Sequence, residues 1–274
     1  MAAEEFPPVA GIDISKPNVA RVYDAFLGGK DNYAADRAVV EESLRWNPDA
    51  AKGAQANRAF LRRAVRTLAG SGVGQFLDIG SGLPTAGNVH EVAQAVDPDA
   101  RVVYVDHDPV VLTHGRALLE NSKTTAFVQA DVRDPDAILG HEKVREFIDF
   151  ERPVGLLLFA ILHHVPDADR PADIAARLRE PLPPGSFLAV SHFFDPGPAM
   201  PEISEVCRGA ERYFDSTLGS GRWRTREEIL EYFGDFELLD PGLTLLNEWR
   251  PTGDEPGLPP VLHNTFAAGV ARKP

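Results

Sequence analysis

From residue 75 onward the chain alternates short apolar runs with longer amphipathic stretches, and this alternation constrains the fold more than any other feature. Segments 75–80, 101–106, 125–131, 154–162 and 186–193 are rich in Val, Leu, Ile and Phe and read as strands. Helical patterns near 86–96, 109–120, 135–150 and 168–180 lie between them. Continuously apolar strands joined by helices predict an α/β fold, a doubly wound, mostly parallel sheet covered on both faces. Pro183-Pro184-Gly185 turns the chain into the fifth strand. Helices are expected around 203–218 and 225–233. Two further strands follow, 236–246 and 264–271, closing as a hairpin around a Pro/Gly-rich loop at 250–260.

The N-terminal third reads as helices instead. Ser15 can cap a helix with Pro17 in its first turn, where the missing N–H costs nothing. Val19, Val22, Tyr23 and Phe26 give that helix an apolar face, and Gly28-Gly29 stops it. A second helix follows Asn32 and ends near Trp46-Asn47-Pro48; a third runs from about 49 to 68. Arg58, Arg62, Arg63 and Arg66 on the third helix are expected to form a solvated face. The chain thus divides into a helical cap, 1–72, and a core, 73–274, with an insertion at 196–224 on the substrate side.

Composition narrows the class of function. Lys and Arg number 28 against 41 Asp and Glu, a net charge of −13 that repels phosphate backbones, so nucleic acid is not the expected partner. Cys207 is the single cysteine, which excludes an internal disulfide and a multi-cysteine zinc site, and no metal is expected. The longest apolar run is far short of the roughly 20 residues that span a bilayer. No N-terminal stretch couples a basic region to an apolar one, so neither membrane nor secretion signal is expected and the address is cytoplasmic.

In such a sheet ligands bind beyond the carboxyl ends of the strands, near the point where strand order reverses. Four segments converge there. Asp78-Ile79-Gly80-Ser81-Gly82-Leu83-Pro84-Thr85 follows a strand and opens a helix; Gly80 and Gly82 allow a sharp turn and close approach to a ligand. Asp106 ends Val-Val-Tyr-Val-Asp, where a carboxylate can accept hydrogen bonds from ribose hydroxyls. His107 or Asp108 sits beside the adenine or takes over that role, unless Asp108 merely caps the helix at Pro109. Asp131 and Val132 close the third strand, placed to meet an adenine edge, whereas Asp134-Pro135 reads as a helix start. Phe159, Ala160, His163 and His164 end the fourth strand and face the reactive part of a bound nucleotide.

A nicotinamide dinucleotide is the obvious rival ligand. Thr85 stands where its fingerprint needs a third glycine, no Tyr-x-x-x-Lys pair occurs, and the acid after the third strand suits an adenine presented by S-adenosylmethionine.

The chain also resembles a known family. The run from Ser15-Lys16-Pro17-Asn18 to Tyr23-Asp24, followed by Leu27-Gly28-Gly29-Lys30-Asp31-Asn32-Tyr33, is similar to the opening signature of the actinobacterial S-adenosylmethionine-dependent methyltransferases once grouped as a domain of unknown function. Residues 76–91, 103–108 and 269–274 match that family as well. The resemblance implies a class I, Rossmann-like methyltransferase sheet with an antiparallel last strand, S-adenosylmethionine as cofactor and S-adenosylhomocysteine as product. It names no acceptor. On this reading Asn32 and Tyr33 fold over the cofactor while Tyr23 lines the same pocket; the alternative is a capped helix–helix turn packed on the domain.

Methyl transfer needs alignment and water exclusion, and a general base only if the acceptor starts protonated. Candidate bases are His163, His164, His192 and Asp195, with Glu211 and Tyr213 from the insertion. Phe193, Phe194, Tyr213, Phe214 and Trp223 hint at a small organic or aromatic acceptor, or are simply core. Three functions remain open: methylation of a small molecule, a non-catalytic module that senses S-adenosylmethionine or its product, and a nicotinamide oxidoreductase. Oligomeric state has no signal in the pattern.

Overall fold

A computed structural model of the chain describes residues 13–84, 87–119 and 122–274. Thr85, Ala86 and Glu120, which the sequence places in the glycine loop and at two helix ends, lie outside the described residues.

Three helices come first, α1 (Val19–Phe26), α2 (Ala34–Trp46) and α3 (Ala50–Gly70). The first begins later than Ser15, which instead bonds Asp13. Asn18 is its cap: the side chain accepts the Ala20 N–H at 2.8 Å, and its own N–H is held by Asp36 of α2 at 2.9 Å. Asp36 therefore ties the start of one helix to the next, which Ser15 has no partner to do.

The remaining elements are β1 (Gln75–Ile79), α4 (Val89–Gln94), β2 (Arg101–Asp106), α5 (Pro109–Leu119), β3 (Thr125–Gln129), α6 (Pro135–Gly140), α7 (Glu142–Phe147), β4 (Gly155–Phe159), α8 (Pro171–Arg179), β5 (Phe187–Phe193), α9 (Pro201–Leu218), α10 (Arg226–Glu231), β6 (Glu237–Leu238), β7 (Thr244–Leu245), α11 (Pro260–His263) and β8 (Phe266–Arg272). The sheet order is β3-β2-β1-β4-β5-β8-β6, with β7 also pairing β8. Strands β1 to β5 are mutually parallel, and β8 runs antiparallel between β5 and the short β6. Strand order reverses between β1 and β4, and the carboxyl ends of both open on the same edge.

Two expected elements are broken. The 135–150 helix divides at His141, whose extended backbone lets its ring accept the Lys143 N–H and cap α7. The 236–246 strand divides because Pro241 has no N–H to give the ladder and Gly242 turns back onto the Leu239 carbonyl.

Both sheet faces are buried, with side chains alternating between them. Leu77, Val103, Leu156 and Val190 join residues of α6, α7, α8 and α10 on one face. Phe76, Val102, Leu157 and Ala189 meet Phe60, Leu61, Val65 and Leu68 of α3 on the other. Because α3 is covered by the sheet on one side and by other segments elsewhere, its arginines are not uniformly solvated. Arg66 is exposed, but Arg58 and Arg63 are buried. Arg63 donates to the Leu246 and Trp249 carbonyls and pairs with Glu255 at 3.1 Å. Helices α1 and α2 make a separate small cluster through Val22, Val39 and Val40, against which Tyr213 and Leu218 of α9 pack.

Candidate active site

The glycine loop after β1 is fixed by its neighbours. The Gly80 and Ser81 N–H groups donate to the Val105 carbonyl at the end of β2. Gly80 has φ +73°, and a Cβ there would lie 2.5 Å from Ile161. Gly82 has φ +66° and donates to the Asp106 carboxylate at 2.9 Å. The other Asp106 oxygen accepts the Asp108 N–H at 3.0 Å. Two further lone pairs of that carboxylate stay available to a ligand. Asp108 takes the capping role, accepting the Val110 N–H at 2.8 Å.

Burial sets the protonation here. It pushes the Asp78 carboxyl up to about 7, against the attraction of Arg58. Asp106 is also raised by burial, with the Asp108 and Gly82 N–H groups opposing. Asp131 goes the other way, because the Arg133 guanidinium grips its carboxylate at 2.5–3.0 Å.

At the end of β4 the chain is strained: Ala160 has φ +52°. A buried relay holds it. The Ala160 N–H donates to the Ser191 hydroxyl, which donates to Asn57 Oδ1; the Asn57 amide then donates to the Tyr23 hydroxyl at 2.9 Å. Tyr23 OH donates in turn to the Ala54 carbonyl. This chain joins β4, β5, α3 and α1 at one wall.

Beyond it three rings stack. His163 lies parallel to Phe193 with centroids 3.6 Å apart, and Trp223 lies parallel to Phe193 at 4.2 Å. Rings that close and that parallel must occupy opposite faces of Phe193. His164 bonds Ser220 at 3.1 Å. Burial drives His163 far below the usual histidine range and His164 down to about 4, so both are neutral at pH 7.

These features surround one cavity of roughly 990 Å³. Of the residues singled out from sequence, Tyr23, Asp78, Gly80, Ser81, Gly82, Asp106, His107, Asp131, Val132, Phe159, Ala160, His163 and His164 line it, as do Phe193, Tyr213, Phe214 and Trp223. Others do not. Asn32 donates to Asp24 and the Gly29 carbonyl and accepts from Arg37, while Tyr33 lies under the Arg21 guanidinium. Both belong to the α1–α2 turn, the alternative the sequence left open, and not to the cavity wall. His192 points to the opposite sheet face, against Tyr232 and Arg224, and burial takes it to about 3. Asp195 holds the Gly197 N–H and the Ser204 hydroxyl, and Glu211 accepts the Trp223 N–H. Asn57, Arg58 and Cys207 also line the cavity; the sequence reading gave none of them a place in the site and set Arg58 on a solvated face. For Asn57 and Arg58 the signal was two adjacent polar residues between Ala56 and Ala59 on a helix with a long apolar stripe.

A glycine loop after β1, acids closing β2 and following β3, and an antiparallel strand beside β5 define an α/β enzyme of the class I methyltransferase type. The chain belongs to the S-adenosyl methyltransferase family, whose model matches residues 7–274. A solved structure from Thermobifida fusca, designated a methyltransferase, is 47% identical, with TM-score 0.88 and coverage of 96% of this chain and 97% of that one. A DUF574 family protein from Streptomyces avermitilis is 40% identical, with TM-score 0.88 over 96% and 100% of the two chains. The N-methyltransferase NodS from Bradyrhizobium japonicum, solved with S-adenosylhomocysteine, shares the fold at 13% identity and TM-score 0.50, covering 93% and 99%. No curated protein matches at a significant level. The nicotinamide reading draws no support from these matches, and the cofactor is S-adenosylmethionine. The residues present fit it: Asp106 keeps free lone pairs, and the Ser81 hydroxyl is buried in the glycine loop without a partner.

Proposed function

We propose that this enzyme methylates a small-molecule acceptor held in the half of the cavity away from the glycine loop. The observation that carries the reading is the size of this cavity and the way its lining divides. At roughly 990 Å³ it lies at the upper end of ligand pockets, room for a cofactor and a second molecule together. Its acids, Asp78, Asp106 and Asp131, gather at the ends of β1 to β3, while Phe193, Phe214 and Trp223 wall the other half.

On this reading Asp106 holds the ribose, Asp131 and Val132 meet the adenine, and the glycine loop with Asp78 and Arg58 receives the zwitterionic amino-acid end. When bound, S-adenosylmethionine supplies an already activated methyl group. The protein's own part is to align the acceptor and exclude water. His163 and His164 are too weakly basic at pH 7 to strip a proton efficiently, so they orient the acceptor by hydrogen bonding. Helices α1 and α2 with α9 form the cap over the acceptor side, which gives the cap and the 196–224 insertion one task.

No described helix is long and apolar enough to cross a membrane, and a cytoplasmic enzyme acting on a dissolved metabolite suits that. The test is incubation with methyl-labelled S-adenosylmethionine and a small-molecule library, beside tRNA and protein fractions. Label in a low-mass product supports the reading; label confined to macromolecules contradicts it.

A further inference from the structure

We infer that the acceptor is a flat aromatic molecule carrying no positive charge and presenting an oxygen or another hydrogen-bond acceptor to Trp223. The inference rests on the methyltransferase reading above and deepens it.

Shape comes first. The planes of His163 and Trp223 are held within 4° and 13° of that of Phe193, and Phe214 closes the corner 5.8 Å from Trp223, tilted by 43°. His163 and Trp223 cover the two faces of Phe193, so the stack offers an acceptor locked ring edges and an outer face. These reward a rigid π-face more than a flexible aliphatic chain, because offset stacking and edge contacts need planarity.

Charge comes second. Among the described residues, no carboxylate lines the half of the cavity walled by these rings; Arg212 stands at its rim. A cationic acceptor would enter an apolar cleft without a counter-ion, a costly transfer. The acidity of the whole chain therefore does not extend to this pocket.

Polarity comes third. The Trp223 indole N–H is buried without a partner in a cavity-lining residue. An indole N–H only donates, so the group that satisfies it must accept.

The experiment is calorimetric titration of protein saturated with S-adenosylhomocysteine. The probes are 1-hydroxy-2-naphthoate, its saturated counterpart 2-hydroxycyclohexanecarboxylate, and 1-naphthylmethylammonium. The naphthoate should bind about tenfold or more tighter than either of the others. Trp223→Leu should weaken it about tenfold, and Trp223→Phe, which keeps the ring and removes the N–H, should lose less. S-adenosylhomocysteine affinity should stay unchanged in both, which separates a pocket effect from unfolding. Equal or tighter binding of the ammonium or the saturated acid overturns the inference. A silent naphthoate in protein that binds S-adenosylhomocysteine overturns it too. Failure of S-adenosylhomocysteine itself to bind removes the methyltransferase reading and this inference with it.

Discussion

Asp78 and Arg58 are oppositely charged groups buried in the wall of one cavity, and Asp78 sits at about 7. An ammonium group arriving beside Asp78 favours the ionised carboxylate and expels the proton. Titration with S-adenosylhomocysteine at pH 7 should therefore release about half a proton, read as a heat that varies with the buffer's ionisation enthalpy. Asp78→Asn should abolish that dependence; identical heats across buffers in the wild type would place the amino-acid end elsewhere. At Gly80 the left-handed backbone and the nearby Ile161 side chain act together. Gly80→Val should abolish S-adenosylhomocysteine binding, whereas Gly82→Ala, with open space but the same backbone region, should cost about 1–2 kcal/mol of stability by chemical denaturation. The glycine loop was legible because a strand followed by Gly-x-Gly has few structural uses. Arg58 was not, because helical periodicity marks which residues share a face without saying what covers it.

Helices α1 and α2 depend on one buried ion pair. Asp36 accepts the Asn18 and Tyr33 N–H groups and the Arg21 guanidinium, and it has no exposed surface. Removing one member of such a pair leaves a buried charge unpaired, so Asp36→Ala should cost about 3–5 kcal/mol in urea denaturation. A loss below about 1 kcal/mol would mean the pair is solvated in solution. Asn32→Ala, by contrast, disturbs only the turn and should leave S-adenosylhomocysteine affinity close to wild type; a large loss would restore Asn32 and Tyr33 to the cofactor site. The same turn shows why a motif can be visible and its task hidden. Gly-Gly-Lys-Asp-Asn-Tyr stood out in sequence, yet the partners that absorb its polar groups, Asp24 and Asp36, are set by how two helices cross. Strand positions for β1 to β5 were readable because a doubly covered strand is apolar throughout. The breaks at His141 and Pro241 were not, since each depends on a local hydrogen bond that an apolar pattern does not encode.

Across the whole molecule, three histidines are buried in neutral form beside one another and near Arg224. Their folded values, about 4 for His164, about 3 for His192 and well depressed for His163, lie below the 6.5 of an exposed histidine. The unfolded chain therefore binds more protons as pH falls below 6.5, and stability is lost from there toward pH 4. His90, also depressed by burial, adds to the loss. Asp78 opposes it, since the folded state keeps a proton that the unfolded carboxyl has released between about 7 and its ordinary 3.8, and Asp24 and Asp106, raised by burial, act in the same direction. With four depressed histidines against three raised acids, stability should fall between pH 6.5 and 4, by about 1.4 kcal/mol per pH unit for each histidine left uncompensated. Urea midpoints that match at pH 7 and pH 5 would contradict that balance. The architecture, the cofactor class and the strand-end residues that face the cavity were accessible from sequence because each rests on local pattern. The division of the cavity was not, because α9, α3 and β5 meet there from distant parts of the chain.

The most direct measurement is calorimetric titration of the wild type and Asp106→Ala with S-adenosylhomocysteine, with NAD as the competing ligand. The account predicts roughly micromolar binding to the wild type, weakened tenfold or more in the variant, and no heat from NAD. Equal affinity in the variant, or NAD bound in preference, would contradict the cofactor site described for this fold.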